Sequence, residues 1–394
     1  MTSTLQPVQA HGCQGLVCRL PDESQRATML DAAGALPQLA ISHRVASDCE
    51  LIANGAYSPL TGFMDQVGAQ SVIDSMRLPT AAGEVVWALP VLLPVPDTFS
   101  VVEAGQSVAL VDPDQRVIAV GELGQLFELD LHHYAQSVYQ TTDGAHPGVA
   151  ALMAAGNRFA AFELTALLNR PRRDLSTDRY FLDPAQTRAE IARRGWQTVV
   201  AFQTRNPIHR AHEYLIKCAM EPLDGVLIHP LVGETKPDDI PADVRMRCYE
   251  ALVQGYFNPE RVMLSAFPAA MHYAGPREAV HHMIARKNYG CTHMIIGRDH
   301  AGVGDYYGTY DAQVLVDTVA DALGIVPLKF EHAVYSKHCA GMVSMKTAPV
   351  RKEDTVFLSG SAVRAMLANG QRPPAEFTRP EVADILIEWA TISS

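Results

Sequence analysis

The chain has 394 residues, of which 48% are hydrophobic and 19% are charged, so it can bury a sizeable core and does not have the composition of a disordered chain. This length exceeds that of one ordinary domain and indicates two or three. The formal net charge of −11 argues against broad electrostatic binding to nucleic acid or to an anionic membrane, although it allows a small cationic pocket.

Neither membrane insertion nor export is expected. The longest apolar stretch, residues 85–96, is broken by prolines and is too short to span a bilayer. The first twenty residues lack the basic start and apolar segment of a secretory signal. The seven cysteines include no CxxC pair, which favours reduced thiols in a cytoplasmic protein.

The N-terminal part is predicted to be rich in β-structure. Short apolar runs between residues 84 and 127 are separated by Pro, Gly and Asp, as in antiparallel strands joined by tight turns. Residues 141–180 are interpreted as a connection. Within it the Arg-rich run 170–174 favours a solvated linker over a binding patch.

Helices and strands alternate from residue 184 onward. The strands are apolar throughout, which is typical of a parallel sheet covered by helices on both faces. Ligands of such sheets bind beyond the carboxyl ends of the strands, so functional residues are expected there. Helices are predicted over 184–195, 206–220, 241–257, 275–290 and 310–324, and strands over 196–203, 225–233, 261–268, 292–297 and 325–330.

The segment 203–212 is the first candidate binding site, because it links the first of these strands to a helix. Asn206 is placed as the N-cap and Pro207 at the first helical position. The first amide groups of the helix would then face a ligand, and the helix dipole favours an anion there. Gln203 and Arg205 stand just before the helix and can add side-chain donors.

His209 and His212 lie three residues apart in this segment and are expected to share one helix face. Together with the neighbouring donors they favour a cradle for phosphate or another oxyanion. Half of a zinc site is an alternative, but no Glu or Cys at metal-ligand spacing accompanies the pair. Two structural core histidines are the other alternative.

The glycine-rich segment 297–304 is the second candidate, and it also follows a strand. Glycine lets backbone amides approach an anion closely. Arg298 can bind phosphate bidentately, and His300 can donate to the same group. One such loop is weak evidence, but two loops with Arg and His after neighbouring parallel strands are much stronger.

The C-terminal part gives weaker signals. Residues 356–390 are predicted to form a strand, a helix, a Pro-rich turn and a last helix, packed on the parallel sheet. Residues 339–346 could hold the edge of a nucleobase or simply belong to a core. Asp238 and Asp239 favour a capping region over a cation site, and the turn at 359–361 fits either an anion-binding helix start or an ordinary N-cap.

The chain resembles the ATP sulfurylase (sulfate adenylyltransferase) family. QTRNPIHRAHE and GRDHAGVGDYYG resemble the two signature loops of that family, and four further segments fit its pattern: GAYSPLTGFM, HPLVGETKPDDIP, SGSAVRAML and FTRPEV. The similarity runs in the same order from about residue 20 to the end of the sequence. It implies an α/β fold in three parts: a PUA-like β-barrel domain over 1–170, a Rossmann-like nucleotidyltransferase domain over 171–325 and a small C-terminal α/β domain over 326–394.

The resemblance also implies a reaction, in which ATP and sulfate give adenosine 5′-phosphosulfate and pyrophosphate in the presence of Mg²⁺. It implies a homodimer with no nucleic-acid or membrane partner. Residues 336–351 contain a single cysteine, so we expect none of the structural zinc found in some relatives. No GxxxxGK[ST] motif occurs, so no fused kinase is expected either.

Site residues follow from the resemblance by matching the motifs. Gln203, Arg205 and the backbone of Ala301 would bind sulfate. The active-site residues next to the α-phosphate would be Thr204, Arg205 and Asn206. Charge on the transferring and leaving phosphates would be stabilised by His209 and His212. The remaining ATP contacts implied are Gly297, Arg298, Asp299, His300 and, at the adenine, Val343.

Two other functions remain open on the sequence. One is a nucleotidyltransferase that activates a carboxylate instead of sulfate. The other is an RNA-binding module with a decayed enzyme, although the net charge opposes it. The sequence also leaves open whether the reaction runs toward phosphosulfate or, as in sulfur oxidation, toward ATP and sulfate.

Overall fold

A computed structural model describes residues 8–99, 103–172, 179–234, 239–356, 358 and 360–392. The predictions made for Asp238 and Ser359 therefore fall outside the described residues. Among the helices that the model describes, none is long and apolar enough to cross a membrane.

The N-terminal part is built around a mixed sheet with the strand order β1-β6-β7-β8-β2, and β5 pairs with β8. A separate antiparallel hairpin joins β3 and β4. The elements in chain order are α1 (Glu23–Ala33), β1 (Gln38–Ala40), α2 (His43–Ala53), β2 (Gly62–Phe63), α3 (Gln66–Ser75), β3 (Arg77–Thr80), β4 (Gly83–Val86), β5 (Leu93–Pro94), β6 (Ser107–Val111), β7 (Val117–Glu128), α4 (Leu131–Tyr139), α5 (Pro147–Ala155) and β8 (Arg158–Leu167).

The apolar stretch 85–96 is less regular than its composition suggests. Residues 85–86 belong to β4 and residues 93–94 to β5, and the buried residues between them are not strand. Pro90, Pro94 and Pro96 lack the N–H that a ladder needs, so apolar character here gives burial without continuous strand.

The second sheet is parallel, with the order β11-β10-β9-β12-β13. This confirms the alternating pattern expected from residue 184 onward. The elements are α6 (Pro184–Arg193), β9 (Val199–Phe202), α7 (Arg210–Met220), β10 (Gly225–Ile228), α8 (Ala242–Tyr256), β11 (Val262–Leu264), α9 (Gly275–Asn288), β12 (His293–Ile296), α10 (Asp311–Leu323) and β13 (Val326–Lys329).

Two hydrophobic cores cover the two faces of this parallel sheet. In β9, Val199 and Ala201 belong to a core shared with α9, α10 and the N-terminal part, whereas Val200 and Phe202 belong to a core shared with α7 and α8. Side chains alternate across a strand, so an apolar strand supplies both cores at once.

The N-terminal part is joined to the first core by polar contacts as well. The buried amide of Asn288 in α9 donates to the carbonyls of Ala56 (3.0 Å) and Ser58 (2.9 Å) and accepts from the N–H of His11 (2.8 Å). Each buried polar atom of this amide thus has a partner in the N-terminal part, which fixes α9 against it.

A small antiparallel sheet with the order β15-β14-β16 follows the parallel sheet. The sequence predicted one strand in this region. The last elements are β14 (Ala333–Ser336), β15 (Gly341–Ser344), β16 (Thr355–Val356), α11 (Gly360–Ala368) and α12 (Pro380–Ile392). Val382 and Leu386 of α12 pack in the core that contains α8 and one face of the parallel sheet, where α12 lies against α8.

Arg170 has a different environment from the solvated linker that its sequence context favoured. Its guanidinium group pairs with the buried carboxylate of Glu50 at 2.6 Å and with Asp183 at 2.6 Å. Asp183 stands at the N-cap of α6 and also accepts from the side chain of Asn54 at 3.0 Å. Arg170 therefore ties the start of the second part to α2 of the first.

Candidate active site

Ten of the twelve predicted site residues, all except His209 and Val343, line one cavity at the carboxyl ends of β9 and β12. These strands are neighbours in the sheet although α7 to α9 separate them in the chain, so the strand order reverses between them. A crevice forms at such a point in parallel α/β sheets. Here it is a cavity of about 340 Å³ lined by Phe202, Gln203, Thr204, Arg205, Asn206, Ala211, His212, Leu215, Met271, Ile295, Gly297, Arg298, Asp299, His300, Ala301, Gly302, Glu331, His332 and Ala333.

The helix after β9 starts later than the sequence predicted. Its N-cap is His209 rather than Asn206, and α7 begins at Arg210. The carbonyl of an N-cap residue accepts the first bond of the helix, but the carbonyl of Asn206 accepts instead from the hydroxyls of Thr204 (3.0 Å) and Tyr249 (2.8 Å). Residues 203–208 therefore form a loop along the cavity.

Not every amide at the start of α7 is available to a ligand. The N–H of Arg210 donates to the carbonyl of Phe377 at 3.0 Å, in the segment before α12. The side chain of Arg210 also donates to the carbonyl of Ala375 at 3.1 Å. The C-terminal segment thus closes one side of the helix start, and the anion cradle depends more on side chains than the sequence suggested.

Arg205 lines the cavity. Its guanidinium carbon lies 4.9 Å from the ring centre of Tyr273, and its buried Nη1 has no hydrogen-bond partner among the described residues. The aromatic ring fixes the direction of the cation, while the unpartnered nitrogen is available to an oxyanion. A buried donor without a partner is costly, which is itself an indication that a ligand completes it.

His209 and His212 are close together, but only His212 lines the cavity. The ring of His209 lies 4.6 Å from that of Phe377, and the ring of His212 lies 5.8 Å from that of Phe202. Nδ1 of each is buried without a partner in the described part of the chain. Burial lowers the pKa of His209 to about 3, with a further contribution from His212, and lowers the pKa of His212 to about 4. Both rings are therefore neutral at pH 7 in the free protein.

The buried carboxylate next to this pair is neutralised locally. Glu213 accepts from Arg379 and Lys217 at 2.7 Å each, and Arg210 lies 3.7 Å away. These cations lower the pKa of Glu213 against the opposing effect of burial. Its negative charge is therefore compensated and does not oppose an anion bound at the cavity.

The loop after β12 is shaped by an unusual backbone. Asp299 and Ala301 are both in the left-handed region, with φ of 51° and 57°. A Cβ on Gly302 would lie 1.8 Å from Oδ1 of Asp299, so only glycine fits there without moving that carboxylate. Gly297 differs, because a Cβ there would meet no protein atom within 4 Å and would occupy cavity space. The loop therefore brings bare backbone to the cavity wall.

Side chains of this loop give the cavity a mixed charge. Arg298 is exposed, Asp299 is exposed, and His300 is half-buried. Although the residue is exposed as a whole, partial loss of water around its carboxyl group raises the pKa of Asp299, and Arg298 and Arg205 oppose that effect. Burial, with a smaller contribution from Arg286, lowers the pKa of His300 to about 4, so this ring is also neutral at pH 7 before a ligand binds.

Val343 does not line the cavity. It is buried in β15, where it pairs with Val334 of the neighbouring strand. The residues that close this end of the cavity are Glu331, His332 and Ala333, just before and at the start of β14. Sequence reasoning did not select these three residues, because the small antiparallel sheet that places them was not predicted.

Helix α9 contributes a buried polar stripe that the sequence reasoning missed. Glu278, His282 and Arg286 recur every four residues and are all buried. Glu278 accepts from the N–H groups of His272 and Ala274, His282 contacts His300, and Arg286 donates to the carbonyl of His229. The signal in the sequence was the four-residue spacing of ionisable groups within an otherwise apolar helix.

No cluster of three or more His, Cys, Asp or Glu side chains that could hold a metal ion occurs among the described residues. All seven cysteines lie in the described ranges and are free thiols.

Family models match almost all of the chain. An ATP-sulfurylase model matches residues 178–389, and a PUA-like domain model matches residues 8–168. Together with the mixed and parallel sheets, these matches confirm the expected α/β fold with a PUA-like N-terminal part.

Several curated relatives match over nearly their whole length. The chain is 57% identical over 377 residues to the sulfate adenylyltransferase of Persephonella marina, covering 95% of this chain and 97% of that protein. It is 53% identical over 365 residues to the enzyme of the same name from Symbiobacterium thermophilum, covering 92% and 91%. For the sulfate adenylyltransferase of Synechocystis sp. the values are 50% over 389 residues, covering 98% of each chain.

A solved structure resembles the whole fold. The structure described as a hexameric APS kinase from Thiobacillus denitrificans superposes with a TM-score of 0.74 at 24% identity, covering 97% of this chain and 68% of that chain. At this identity the likeness concerns the fold alone.

Proposed function

The chain belongs to the ATP-sulfurylase family, and from this membership we propose that it transfers the adenylyl group of ATP to sulfate at the cavity between β9 and β12. The observation that carries the proposal is the convergence of Gln203, Arg205, His212, Arg298 and His300 on one cavity whose donors have few internal partners. The products are adenosine 5′-phosphosulfate and pyrophosphate.

The proposed chemistry is an in-line displacement. An oxygen of sulfate attacks the α-phosphorus and forms the P–O–S bond, while the bond from that phosphorus to the β-bridging oxygen breaks. Pyrophosphate leaves with the bonding electron pair. Because both reactants are anions, the protein acts by positioning them and by compensating charge, without a covalent intermediate.

Each candidate residue has a role in this scheme. Gln203, Arg205 and the backbone of Ala301 bind sulfate. Arg205 and Asn206 lie beside the α-phosphate, and the Thr204 hydroxyl, which bonds both the N–H and the carbonyl of Asn206 at 3.0 Å, shapes the loop that presents them.

The phosphates lie between the two loops. His209 and His212 stabilise charge on the transferring and leaving groups, and Gly297, Arg298, Asp299 and His300 bind the rest of the triphosphate. Val343 acts at the adenine indirectly, because it pairs with Val334, the residue that follows the cavity-lining Ala333. A polyanion bound near the neutral rings of His209 and His212 favours their protonation, so that the rings become donors or cations.

Magnesium fits this cavity as an ion carried by the triphosphate. The cavity offers two carboxylates, Asp299 and Glu331, and Mg²⁺ bound to nucleotides keeps several waters and needs only one or two protein carboxylates. When bound, it would neutralise part of the triphosphate charge. Asp299 and Glu331 would hold it, directly or through water.

The experiment that tests the function is a pair of ATP-cleavage assays. We expect pyrophosphate release that depends on sulfate, and continuous ATP breakdown with molybdate, whose mixed anhydride with AMP hydrolyses. Release that depends instead on a carboxylate substrate, or tight salt-sensitive RNA binding without ATP cleavage, would overturn the proposal.

Three further features belong to the same proposal. The same contacts serve the reverse reaction, the direction that sulfur oxidation would use, and rates in both directions at controlled pyrophosphate concentration test which is favoured. The protein acts as a cytoplasmic homodimer. Light scattering of the purified protein tests whether it is a homodimer, and fractionation of the source cells tests whether it is cytoplasmic.

A further inference from the structure

A chain of buried ionisable groups leads from the interior of α9 to the cavity. Nδ1 of His282 lies 3.1 Å from Nε2 of His300, and Nε2 of His282 lies 3.5 Å from Oε1 of Glu278. Glu278 is fully buried and His282 is 2% exposed, whereas His300 lines the cavity. A carboxylate, an imidazole and a second imidazole are thus arranged in sequence toward the phosphate site.

The carboxylate at the inner end is itself firmly placed. Both of its oxygens accept backbone N–H groups at 2.9 Å, Oε1 from His272 and Oε2 from Ala274. These residues flank Tyr273, whose ring lies against Arg205. Glu278 therefore fixes the loop under the sulfate-binding arginine and, four residues along the same helix, faces His282.

The hydrogen bond between His282 and His300 determines which nitrogen of His300 is free, once the proton on His282 is placed. If the carboxylate of Glu278, 3.5 Å away, keeps that proton on Nε2 of His282, Nδ1 of His282 can only accept, so Nε2 of His300 must carry a proton. The other nitrogen, Nδ1, is then left for the cavity. A phosphate there requires a donor, so His300 has to gain a second proton when the nucleotide binds, and the charge of the resulting imidazolium is balanced by Glu278 through His282.

On the basis of the proposed function, we propose that Glu278 and His282 are positioning residues that orient His300 and allow it to carry a positive charge against the phosphates of the bound nucleotide. Outer partners of this kind fix ring orientation and tautomer in the same way as the carboxylate partners of other functional histidines.

Other charged and polar groups surround Glu278 and His282 and influence the protonation of both. Burial raises the pKa of Glu278 to about 7, opposed by its two N–H donors and by nearby cations. Burial, with Arg286 next in importance, holds the pKa of His282 well below its usual value. The groups that face the pair are Arg44, Arg205, His272, His281, Arg286 and His300, together with the neutral phenols of Tyr57, Tyr139 and Tyr307.

The test compares two adjacent histidines on α9. His282→Phe removes the contact with His300 and keeps the ring volume. His281→Phe is the matched control, because His281 is equally buried, packs against Tyr57 and Trp87, and has no hydrogen-bond partner among the described residues. We expect His282→Phe to lower kcat/KM for ATP about 10- to 100-fold and His281→Phe to change it less than about twofold.

Two more variants separate positioning from simple stability. His282→Asn keeps a polar atom near the position of Nδ1 and should recover at least roughly tenfold of the lost activity. In wild type, kcat/KM should fall as the pH rises above about 7, because the bound state holds one proton on the Glu278–His282–His300 chain and the free protein loses that proton when Glu278 ionises. In Glu278→Gln the fall should begin at lower pH, because His300 then takes its proton from solvent with a pKa of about 4, and activity at pH 7 should be low.

The outcomes distinguish the two proposals. If wild type cleaves ATP with sulfate or molybdate and His282→Phe behaves like His281→Phe, the positioning role is overturned while the function stands. The same holds if Glu278→Gln keeps the wild-type pH profile, even where His282→Phe does not fold. If wild type itself shows no such cleavage, the proposed function fails, and the positioning role with it.

Discussion

Arg205 combines three properties that are separate in most surface arginines: it lies against an aromatic ring, it has a buried unpartnered nitrogen, and it lines the cavity. No carboxylate lies within ion-pair distance of it in the described part of the chain. Its charge is therefore available to a ligand rather than used within the fold.

Replacing Arg205 tests whether its charge is used to bind the ligand. We expect Arg205→Ala to reduce turnover by about 10²- to 10³-fold, since one preorganised donor to the developing charge is lost. Arg205→Lys should restore little of it, because an ammonium group cannot bind an oxyanion bidentately. Steady-state rates of molybdate-dependent ATP cleavage measure this, with thermal unfolding as the control for folding. Near-normal turnover in Arg205→Ala would remove the residue from the mechanism.

The lowered pKa values of His209 and His212 predict that binding of an anionic ligand is coupled to proton uptake. Below pH about 6.5 the unfolded chain binds protons that the folded protein does not bind, because burial lowers the pKa of His209 to about 3 and that of His212 to about 4. The free protein should therefore lose stability as the pH falls from about 6.5 toward 4. A bound polyanion reverses this preference and favours the protonated rings.

Proton uptake on binding pyrophosphate is the measurable consequence. Calorimetry at pH 6 in buffers of different ionisation enthalpy should show more uptake for wild type than for the double variant His209→Asn/His212→Asn. At pH 8 the difference should shrink, because the rings are then far from protonation. Equal uptake by the two proteins at pH 6 would mean that both rings stay neutral in the complex.

At the scale of single elements, the loop after β12 depends on two glycines for different reasons. Gly302 is required by the protein itself, whereas Gly297 borders open cavity. Gly297→Val should therefore leave thermal stability unchanged and raise the KM for ATP about tenfold to a hundredfold by occupying ligand space. Gly144→Val, at an exposed glycine that also has open surroundings, is the control. A large fall in stability without a KM change would place the effect in the loop fold instead.

Sequence patterns predicted the strands and helices of the parallel sheet well where apolar periodicity was strong. The strand containing Val199–Phe202 and helix α9 both appear where expected. The predicted start of α7 was wrong because the hydroxyls of Thr204 and Tyr249 occupy the carbonyl of Asn206, which would have accepted the first bond of the helix. Glu331 and His332 could not be found, since a short sheet with half-buried strands leaves little periodic signal.

At the scale of the whole molecule, Arg170 connects the two large parts through Glu50 and Asp183. Removing it takes away a cation from a carboxylate that is almost wholly buried, so Arg170→Ala should destabilise the protein by about 1–3 kcal/mol. Arg172→Ala is the matched control, because Arg172 is largely exposed and contacts Asp114 only at 3.4 Å. Differential scanning calorimetry compares the two, and equal transitions would show that the Arg170 pairs do not stabilise the junction.

The reversal of strand order between β9 and β12 also has a consequence for how the protein is made. The two loops that form the cavity leave the ribosome roughly ninety residues apart, and the earlier loop lacks the opposite wall of the cavity until the later strand pairs beside it. A nascent chain that ends before β12 can fold its N-terminal sheet but cannot bind nucleotide. Nucleotide binding by ribosome-bound intermediates would thus report on completion of the parallel sheet, because the ligand can stabilise only chains in which both loops are already in place.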